Sequence, residues 1–309
     1  MTGKMRYLKK IGDILLIPLR FKRQLSILKS KGYKAIFESE GGIEINLPKV
    51  SLQNIFTKSG RNKVFKAFMF TERPKVEPLL RKIVNELFQI GYLNYDKSII
   101  DIGCWIGDNS LVWAKMLKKG RVFAIEGISE SLKFASETAM LNNINNVNFT
   151  YAICADVSDL SVISSGSQSG TYFKQTDLES RLRTTTIDKV IPIDYYGDID
   201  LFHIDVEGFE EKVILGAKNV IESSRPVIIF EQHISSQNVG IIISFLEKID
   251  YKIFMINEVL PGNEWDCRNF IAFDSRKPLP QVTNLDNSKG IENNVFFATL
   301  GSSIIEVDS

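Results

Sequence analysis

From residue 98 onward, short apolar runs alternate with segments whose apolar positions recur at helical spacing. Residues 98–102, 121–126, 147–154, 201–205 and 227–231 are runs of the length and β-branched content expected of buried strands. Between them, residues 109–118, closed by Gly120, and residues 129–142, with Ser129 as N-cap, carry the helical pattern. So do residues 207–223 and 240–249, while residues 185–190 suit a short helix or turn. Residues 252–256 and 269–273 complete the set of strands. Strands alternating with helices this regularly predict an α/β fold: a doubly wound, mostly parallel seven-stranded sheet with helices on both faces.

Upstream, residues 35–37 and 43–47 suit a hairpin turning at Gly41-Gly42. Residues 74–91 begin at Pro74, place Val76, Leu79, Leu80, Ile83, Val84 and Leu87 on one helical face, and stop at Gly91. The polar, Ser-rich stretch 156–183 suits a long loop or hairpin insertion. The expected organisation is a basic, helical extension and cap over 1–90, the α/β domain over 91–275, and an irregular tail over 276–309.

Charge changes this picture at one end only. The chain's net charge is +1, so bulk charge does not make it a nucleic-acid binder. Residues 1–36 nevertheless hold ten Lys and Arg against Asp13 alone, which is +9 and leaves −8 for the rest. This basic amphipathic stretch, expected to be helical on both sides of Pro18, suits a packed arm or a peripheral contact with an anionic membrane surface. No apolar run reaches the roughly 18 residues of a membrane span, and Ile14–Ile17 is cut by Pro18. The three cysteines, Cys104, Cys154 and Cys267, lie too far apart for a C-x-x-C knuckle and suit free thiols in a reducing, cytoplasmic setting, with the inner face of the membrane as the second expectation.

Ligands of such sheets bind outside the carboxyl ends of the strands. Polar residues just past each strand are therefore the candidates. The first strand ends in Asp101-Ile102-Gly103-Cys104-Trp105-Ile106-Gly107. Its Asp-x-Gly-x-x-x-Gly spacing lacks the G-x-G-x-x-G pyrophosphate cradle and favours S-adenosylmethionine over a dinucleotide. Cys104 has no paired base and suits a small packing residue. Glu126, after the second strand, is placed to accept both ribose hydroxyls of an adenosine, and Asp156 follows the third. In His203-Ile204-Asp205-Val206-Glu207-Gly208, either Asp205 or Glu207 can take a proton from a substrate hydroxyl. His203 suits a hydrogen-bonded histidine inside the sheet. Glu231 and His233 form a second acid/base pair on the same rim. Asp205, Glu207 and Glu231 with His233 could also ligate Mg²⁺ or another divalent ion, but no dedicated metal spacing accompanies them, and no metal site is assigned.

In order and spacing these segments resemble the FkbM family of S-adenosylmethionine-dependent methyltransferases over roughly residues 97–274. The residues that carry the resemblance are the 101–107 loop, Ala124-Ile125-Glu126-Gly127, Leu141-Asn142-Asn143 with Asn146-Val147, and Thr186-Ile187-Asp188. His203-Ile204-Asp205-Val206-Glu207-Gly208-Phe209-Glu210, Leu215-Gly216-Ala217, and Arg225-Pro226 with Glu231 continue it. Departures from the family pattern are Cys104-Trp105 in the glycine loop, Gly127 in place of Pro, and His203 where Lys is common. The resemblance implies a class I methyltransferase fold and O-methylation of a sugar hydroxyl on a glycan or natural product. Under it, Asp101, Gly103, Trp105, Gly107, Glu126 and Asp156 would hold S-adenosylmethionine. Asp205, Glu207, Glu231 and His233 would orient and deprotonate the acceptor, with the 156–183 insertion and the N-terminal region as its lid. Two rivals are an NAD-dependent sugar oxidoreductase or epimerase, for which no Tyr-x-x-x-Lys pair is present, and a non-catalytic scaffold of a glycan-assembly complex.

Overall fold

The computed structural model describes residues 34–49, 57–167, 170–176, 182–233, 236–256, 258, 267–280 and 304–307. The expectation of a helical arm over residues 1–36 falls outside these, except that Lys34–Phe37 forms a strand (β1) paired antiparallel with Ile43–Asn46 (β2). The chain then forms α1 (Lys58–Glu72), a 3-10 turn (Arg73–Lys75) and α2 (Pro78–Gln89). Helix α2 starts at Pro78 rather than Pro74 because Glu77 takes a left-handed conformation, φ 54°, which breaks the helical path.

The α/β part runs β3 (Ser98–Ile102), α3 (Asp108–Met116), β4 (Val122–Glu126), α4 (Ser129–Leu141) and β5 (Val147–Tyr151). An insertion follows: β6 (Ile153–Cys154), β7 (Ser161–Ser167), β8 (Gly170–Gln175) and β9 (Leu182–Thr185). The chain continues through α5 (Ile187–Val190), a 3-10 turn (Ile193–Tyr195), β10 (Ile199–Ile204), α6 (Glu210–Leu215), α7 (Lys218–Ser224) and β11 (Val227–His233). It closes with α8 (Gln237–Lys248), β12 (Tyr251–Ile256), β13 (Cys267–Asp274) and β14 (Ile304–Val307).

The main sheet has the order β14-β12-β13-β11-β10-β3-β4-β5. The pairs from β11 to β5 are parallel, and β13 runs antiparallel between β11 and β12. This is the mostly parallel, doubly wound sheet that the alternating pattern predicts, with one strand more. Residues 304–307, expected to be irregular, pair antiparallel with β12 and add an eighth strand at the edge.

Alternating side chains send each strand's apolar residues to opposite faces. Ile100, Phe202, Ile204 and Phe230 pack against Val213 of α6 and Leu246 of α8. Ile99, Leu201 and Ile229 pack on the other face against Leu80 and Val84 of α2 and Trp113 of α3. Helix α2 is thus part of the sheet's own core, and no break in packing follows residue 90. A third cluster joins Phe37, Ile45 and Phe70 to Val112 of α3 and Phe134 of α4, which seats the hairpin and α1 on the same unit. Among the described residues no helix is long and apolar enough to cross a membrane.

Three local departures have physical causes. The third strand divides: β5 stays in the main sheet, while β6 leaves it to pair with β9 at the base of the hairpin β7–β8. The helix expected over 207–223 starts at Glu210, after Glu207 and Gly208 at positive φ, and breaks at Gly216-Ala217. There the glycine backbone lies against the carbonyl of Ala155, where any Cβ would overlap it. Ser129 is the first helical residue of α4 and not its cap. The cap position is Ile128, whose N–H is taken by the Glu126 carboxylate at 2.7 Å.

The chain winds from β3 to β4 and β5 in one direction and from β10 to β11 in the other. The switch point therefore lies between β3 and β10, where a crevice opens at the carboxyl ends. Its width is set by Gly103, at φ 75°, whose α-carbon lies so close to Asp205 that a Cβ would overlap the Asp205 carbonyl. Gly103→Ala should lower the stability of the chain by about 2 kcal/mol or more, through left-handed strain plus this overlap. Chemical denaturation checks this; a variant as stable as the parent would contradict the close approach.

Candidate functional site

The loop after β3 is built from backbone bonds. The N–H groups of Gly103 and Cys104 both donate to the Ile125 carbonyl, at 2.9 and 3.2 Å. Trp105 then turns at φ 45° and donates its N–H to Glu126 Oε2 at 2.8 Å. Glu126 Oε1 accepts from Ile128 N–H on the other side. One carboxylate thus ties the glycine loop to the start of α4. The Gly127 N–H also contributes to holding this carboxylate, and a carboxylate with about four lone-pair sites keeps capacity beyond these backbone donors. Burial pushes the Glu126 carboxyl up to about 7, against the pull of its backbone donors. Gly107 caps α3 at φ 79°. Burial, with the charges of Asp101, Glu126 and Asp108, holds the Cys104 thiol well above its usual range, which suits a packing role.

Asp101 does not face the crevice with a free carboxylate. It is buried, its Oδ1 is 2.9 Å from His203 Nδ1, and its Oδ2 accepts from the Ser110 hydroxyl. The pairing follows from register, because His203 and Asp101 are direct partners across β10 and β3. Burial works against charge on His203, but the hydrogen bond to Asp101 and its charge outweigh burial and raise the imidazole pKa. The edge of the Trp113 indole and the imidazole meet at 5.3 Å and 77°, which fixes the ring.

Asp205 and Glu231, one past β10 and within β11, share a carboxyl–carboxyl hydrogen bond. Burial, then the neighbouring Asp205 and Glu77 charges, raises Glu231 well above the carboxylate range. Asp205 is pushed up to about 6, by burial first and the Glu77 charge second. Of the two, Glu231 is the more strongly raised, so it is the member that favours the proton. The Cys267 thiol also donates to Glu231 Oε1, at 2.6 Å.

The other acids of the Asp-Val-Glu-Gly-Phe-Glu run divide their labour. Glu210 turns inward, accepting from the N–H groups of Val206 and Gly208 at 3.2 and 3.0 Å and from the Gln232 amide at 3.0 Å. It shapes the loop. Glu207 stands exposed at φ 52°; burial and Glu210 raise its carboxyl while His233 opposes them. His233 is half-buried at the end of β11. Asp156 is exposed, its backbone packed against Gly216, so the structure places it near α6 and gives it no bond to Glu126.

Several site residues come from the N-terminal cap and escape a search for acids after strands. Arg73 donates Nε to Asp108 at 2.5 Å and an Nη to Glu77 at 2.8 Å. Arg81 donates to the same Asp108 oxygen at 3.0 Å. Glu77 Oε1 accepts from the Asn269 amide at 2.8 Å. Burial alone would raise Glu77 and Asp108, but the guanidinium groups overcome it and hold both below the usual carboxylate range. Glu258 accepts from the N–H groups of Leu79 and Leu80 and so caps α2. The signal available in the sequence was Arg73 four residues before Glu77, at a helix start marked by Pro78. Among the described residues, no group of three or more His, Cys, Asp and Glu is arranged to hold a metal ion.

The family profile described as Methyltransferase FkbM domain matches residues 101–253. Those residues are an FkbM methyltransferase domain. The match covers β3 to β12, and with it the glycine loop, Glu126, Asp205 and Glu231. A solved FkbM methyltransferase from Methylobacillus flagellatus is similar at 15% identity and TM-score 0.43, over 67% of this chain and 54% of that one. The chain thus spans about half the length of that relative. A precorrin-6y C5,15-methyltransferase from Geobacter metallireducens is similar at 17% identity and TM-score 0.38, over 58% of this chain and 80% of that one. No curated protein sequence matches the chain.

The FkbM domain thus separates two carboxylate functions. Glu126 sits over the glycine loop as an acceptor of hydrogen bonds, and Asp205 with Glu231 sits beside β10 as a proton-sharing pair. Glu126, Glu210 and Glu258 are each pushed up to about 7, with burial the largest cause. Between about pH 5 and about pH 7 the folded chain keeps protons that the unfolded chain has released, so stability falls as pH rises. The raised His203 imidazole acts in the same direction above its ordinary range. Melting of the ligand-free protein should therefore move to lower temperature across that window, and Glu126→Gln should remove part of the slope. A melting point that climbs with pH there would contradict these burials.

Proposed function

We propose that the chain is an S-adenosylmethionine-dependent O-methyltransferase whose acceptor is a sugar hydroxyl of a glycan or glycosylated natural product. The observation that carries this is the placement of Asp205 and Glu231 side by side, just past the Ile204–Phe230 register pair of β10 and β11, at the carboxyl edge of the sheet and one strand from the glycine loop.

The residues present fit the cofactor. Glu126, fixed by backbone donors beside the glycine loop, keeps acceptor capacity for ribose hydroxyls. Asp101, fixed by His203 and Ser110, supports the strand end, while Gly103, Trp105 and Gly107 border the methionine part of the site. An excess of carboxylates around the crevice suits a cationic sulfonium. Asp156 is assigned to adenine by its position after the third strand alone. When bound, that cofactor supplies a methyl carbon made electrophilic by the sulfonium.

The chain supplies proton acceptance and orientation. Asp205, near 6, is ionised at neutral pH yet basic enough to take a hydroxyl proton. Glu231 donates to Asp205 and holds its carboxylate in one orientation. Glu207 and His233, at the open side, orient the acceptor. The reading of the insertion as a cover for the acceptor is supported by Val162 of β7, which packs with Phe209 and Val206 of the Asp205 loop. The reading of residues 1–36 as a membrane-surface contact rests on their charge of +9 alone.

Calorimetric titration with S-adenosylhomocysteine, with NAD⁺ in parallel, is the direct test. The first should bind and the second should not; NAD⁺ binding alone would move Glu126 into a dehydrogenase site. Glu126→Ala should weaken S-adenosylhomocysteine binding roughly 100-fold, the loss of two charge-assisted hydrogen bonds. Asp205→Asn should keep that binding and lower turnover about 10²–10⁴-fold, as loss of a general base does. Full turnover by that variant would exclude Asp205 as the base.

A further inference from the structure

The Asp205–Glu231 pair is backed by residues that lie outside the matched domain. Asn269 of β13 is the direct ladder partner of Glu231, so the two side chains share one face of the sheet. Asn269 is 2% exposed. Its Nδ2 donates to Glu77 Oε1 at 2.8 Å, and its Oδ1 has no hydrogen-bond partner. The orientation of this buried amide therefore rests on Glu77. A buried polar atom left unpaired is rare and calls for an explanation in function. Glu77 holds a left-handed backbone at φ 54°, which a non-glycine residue adopts only where its surroundings enforce it. Arg73 pairs with the Glu77 side chain and with Asp108 at once.

We infer that Glu77, supplied by the N-terminal cap, is a positioning residue for the Asp205–Glu231 pair: its fixed charge, and the Asn269 amide it orients, keep one proton shared within that pair. The other groups around the pair act more weakly or in the opposite direction: Glu207 adds to the raising of Asp205 but less than Glu77 does, and the Arg73 guanidinium favours Asp205 in its ionised form. On Asp205's own strand, His203 favours ionisation, and Glu207 in the next loop is exposed. On β13, Cys267 donates to Glu231 and favours its ionised form. Glu126 and Glu210 flank Asp205 but are themselves near 7 and so are only partly charged. Glu77 is held ionised by Arg73, Asn269 and Arg81, and is a raising influence on both members of the pair.

The catalytic meaning of this inference rests on the methyl-transfer reading, but its test does not need an acceptor. Infrared difference spectra over a pH titration of the full chain record the carbonyl stretch of protonated carboxyls. The component that Glu231→Gln abolishes is the pair's. In Glu77→Gln the midpoint of that component should fall by about one pH unit, the direction expected when a nearby negative charge is removed. An unmoved midpoint in the folded variant overturns the inference, as does finding no component that depends on Glu231. Should Glu77→Gln fail to fold with Arg73 left unpaired, Glu77→Asp keeps the charge beside Arg73 and draws it back from Asn269. The band should then broaden, with its midpoint lowered by a fraction of a unit, and an unaltered band overturns the inference. Calorimetry with S-adenosylhomocysteine on the same preparations keeps the two readings apart, because failure of the wild type to bind it counts against the methyl donor and leaves the band assignment standing.

Discussion

The structure depends on a close approach of two loops at the switch point of the sheet. Asp205 N–H donates to the Ile102 carbonyl at 2.9 Å, and Gly103 lies against the Asp205 backbone with no space for a side chain. That contact brings the end of β3 to the end of β10. Everything chemical in the molecule is arranged around it: Glu126 on one side, Glu231 on the other, His203 and Asp101 beneath. Burial does the rest. Carboxylates taken out of water must be paired, capped or protonated, and each acid here has found one of these solutions. Asp108 and Glu77 are paired with arginine, Glu210 and Glu258 cap backbone N–H groups, and Glu231, beside Asp205, is held well above the carboxylate range, which favours its protonated form.

This division explains why one rim of acids is not one functional group. Within Asp205-Val206-Glu207-Gly208-Phe209-Glu210, three acids sit within six residues. Two residues at positive φ turn the chain so that Glu210 points back under the loop while Glu207 faces solvent. Asp205, at the strand end, is left beside Glu231. Backbone conformation, more than residue type, assigns the roles.

Much of the fold was legible in the sequence because its signals are local. Buried strands such as Ile99-Ile100 and Phe202-His203-Ile204 announce themselves by composition, and the winding rules for parallel sheets arrange them. The FkbM resemblance rested on the loops after those same strands. What stayed hidden is long-range. Helix α2 reads as an amphipathic helix but not as one face of the sheet's core. Glu77 and Asn269 are 192 residues apart, and nothing near either residue indicates the other. The bond between His203 and Asp101 is 102 residues long in sequence and follows only from the register of β10 against β3. Residues 304–307 read as tail because four residues that borrow their pairing from β12 carry no periodicity of their own.

The same separation in sequence bears on how the protein acquires its chemistry during folding. Local helices and adjacent strands form early because closing short loops costs little entropy, whereas contacts across most of a chain are made late. The proton-sharing pair draws its surroundings from the cap, from β10, from β11 and from β13. A chain that has collapsed around β3, β4 and β5 therefore already holds its glycine loop and Glu126, yet lacks the Asp205–Glu231 pair. The glycine loop and Glu126 are thus assembled from neighbouring segments, whereas the paired carboxylates gain their surroundings only when the most distant segments have met.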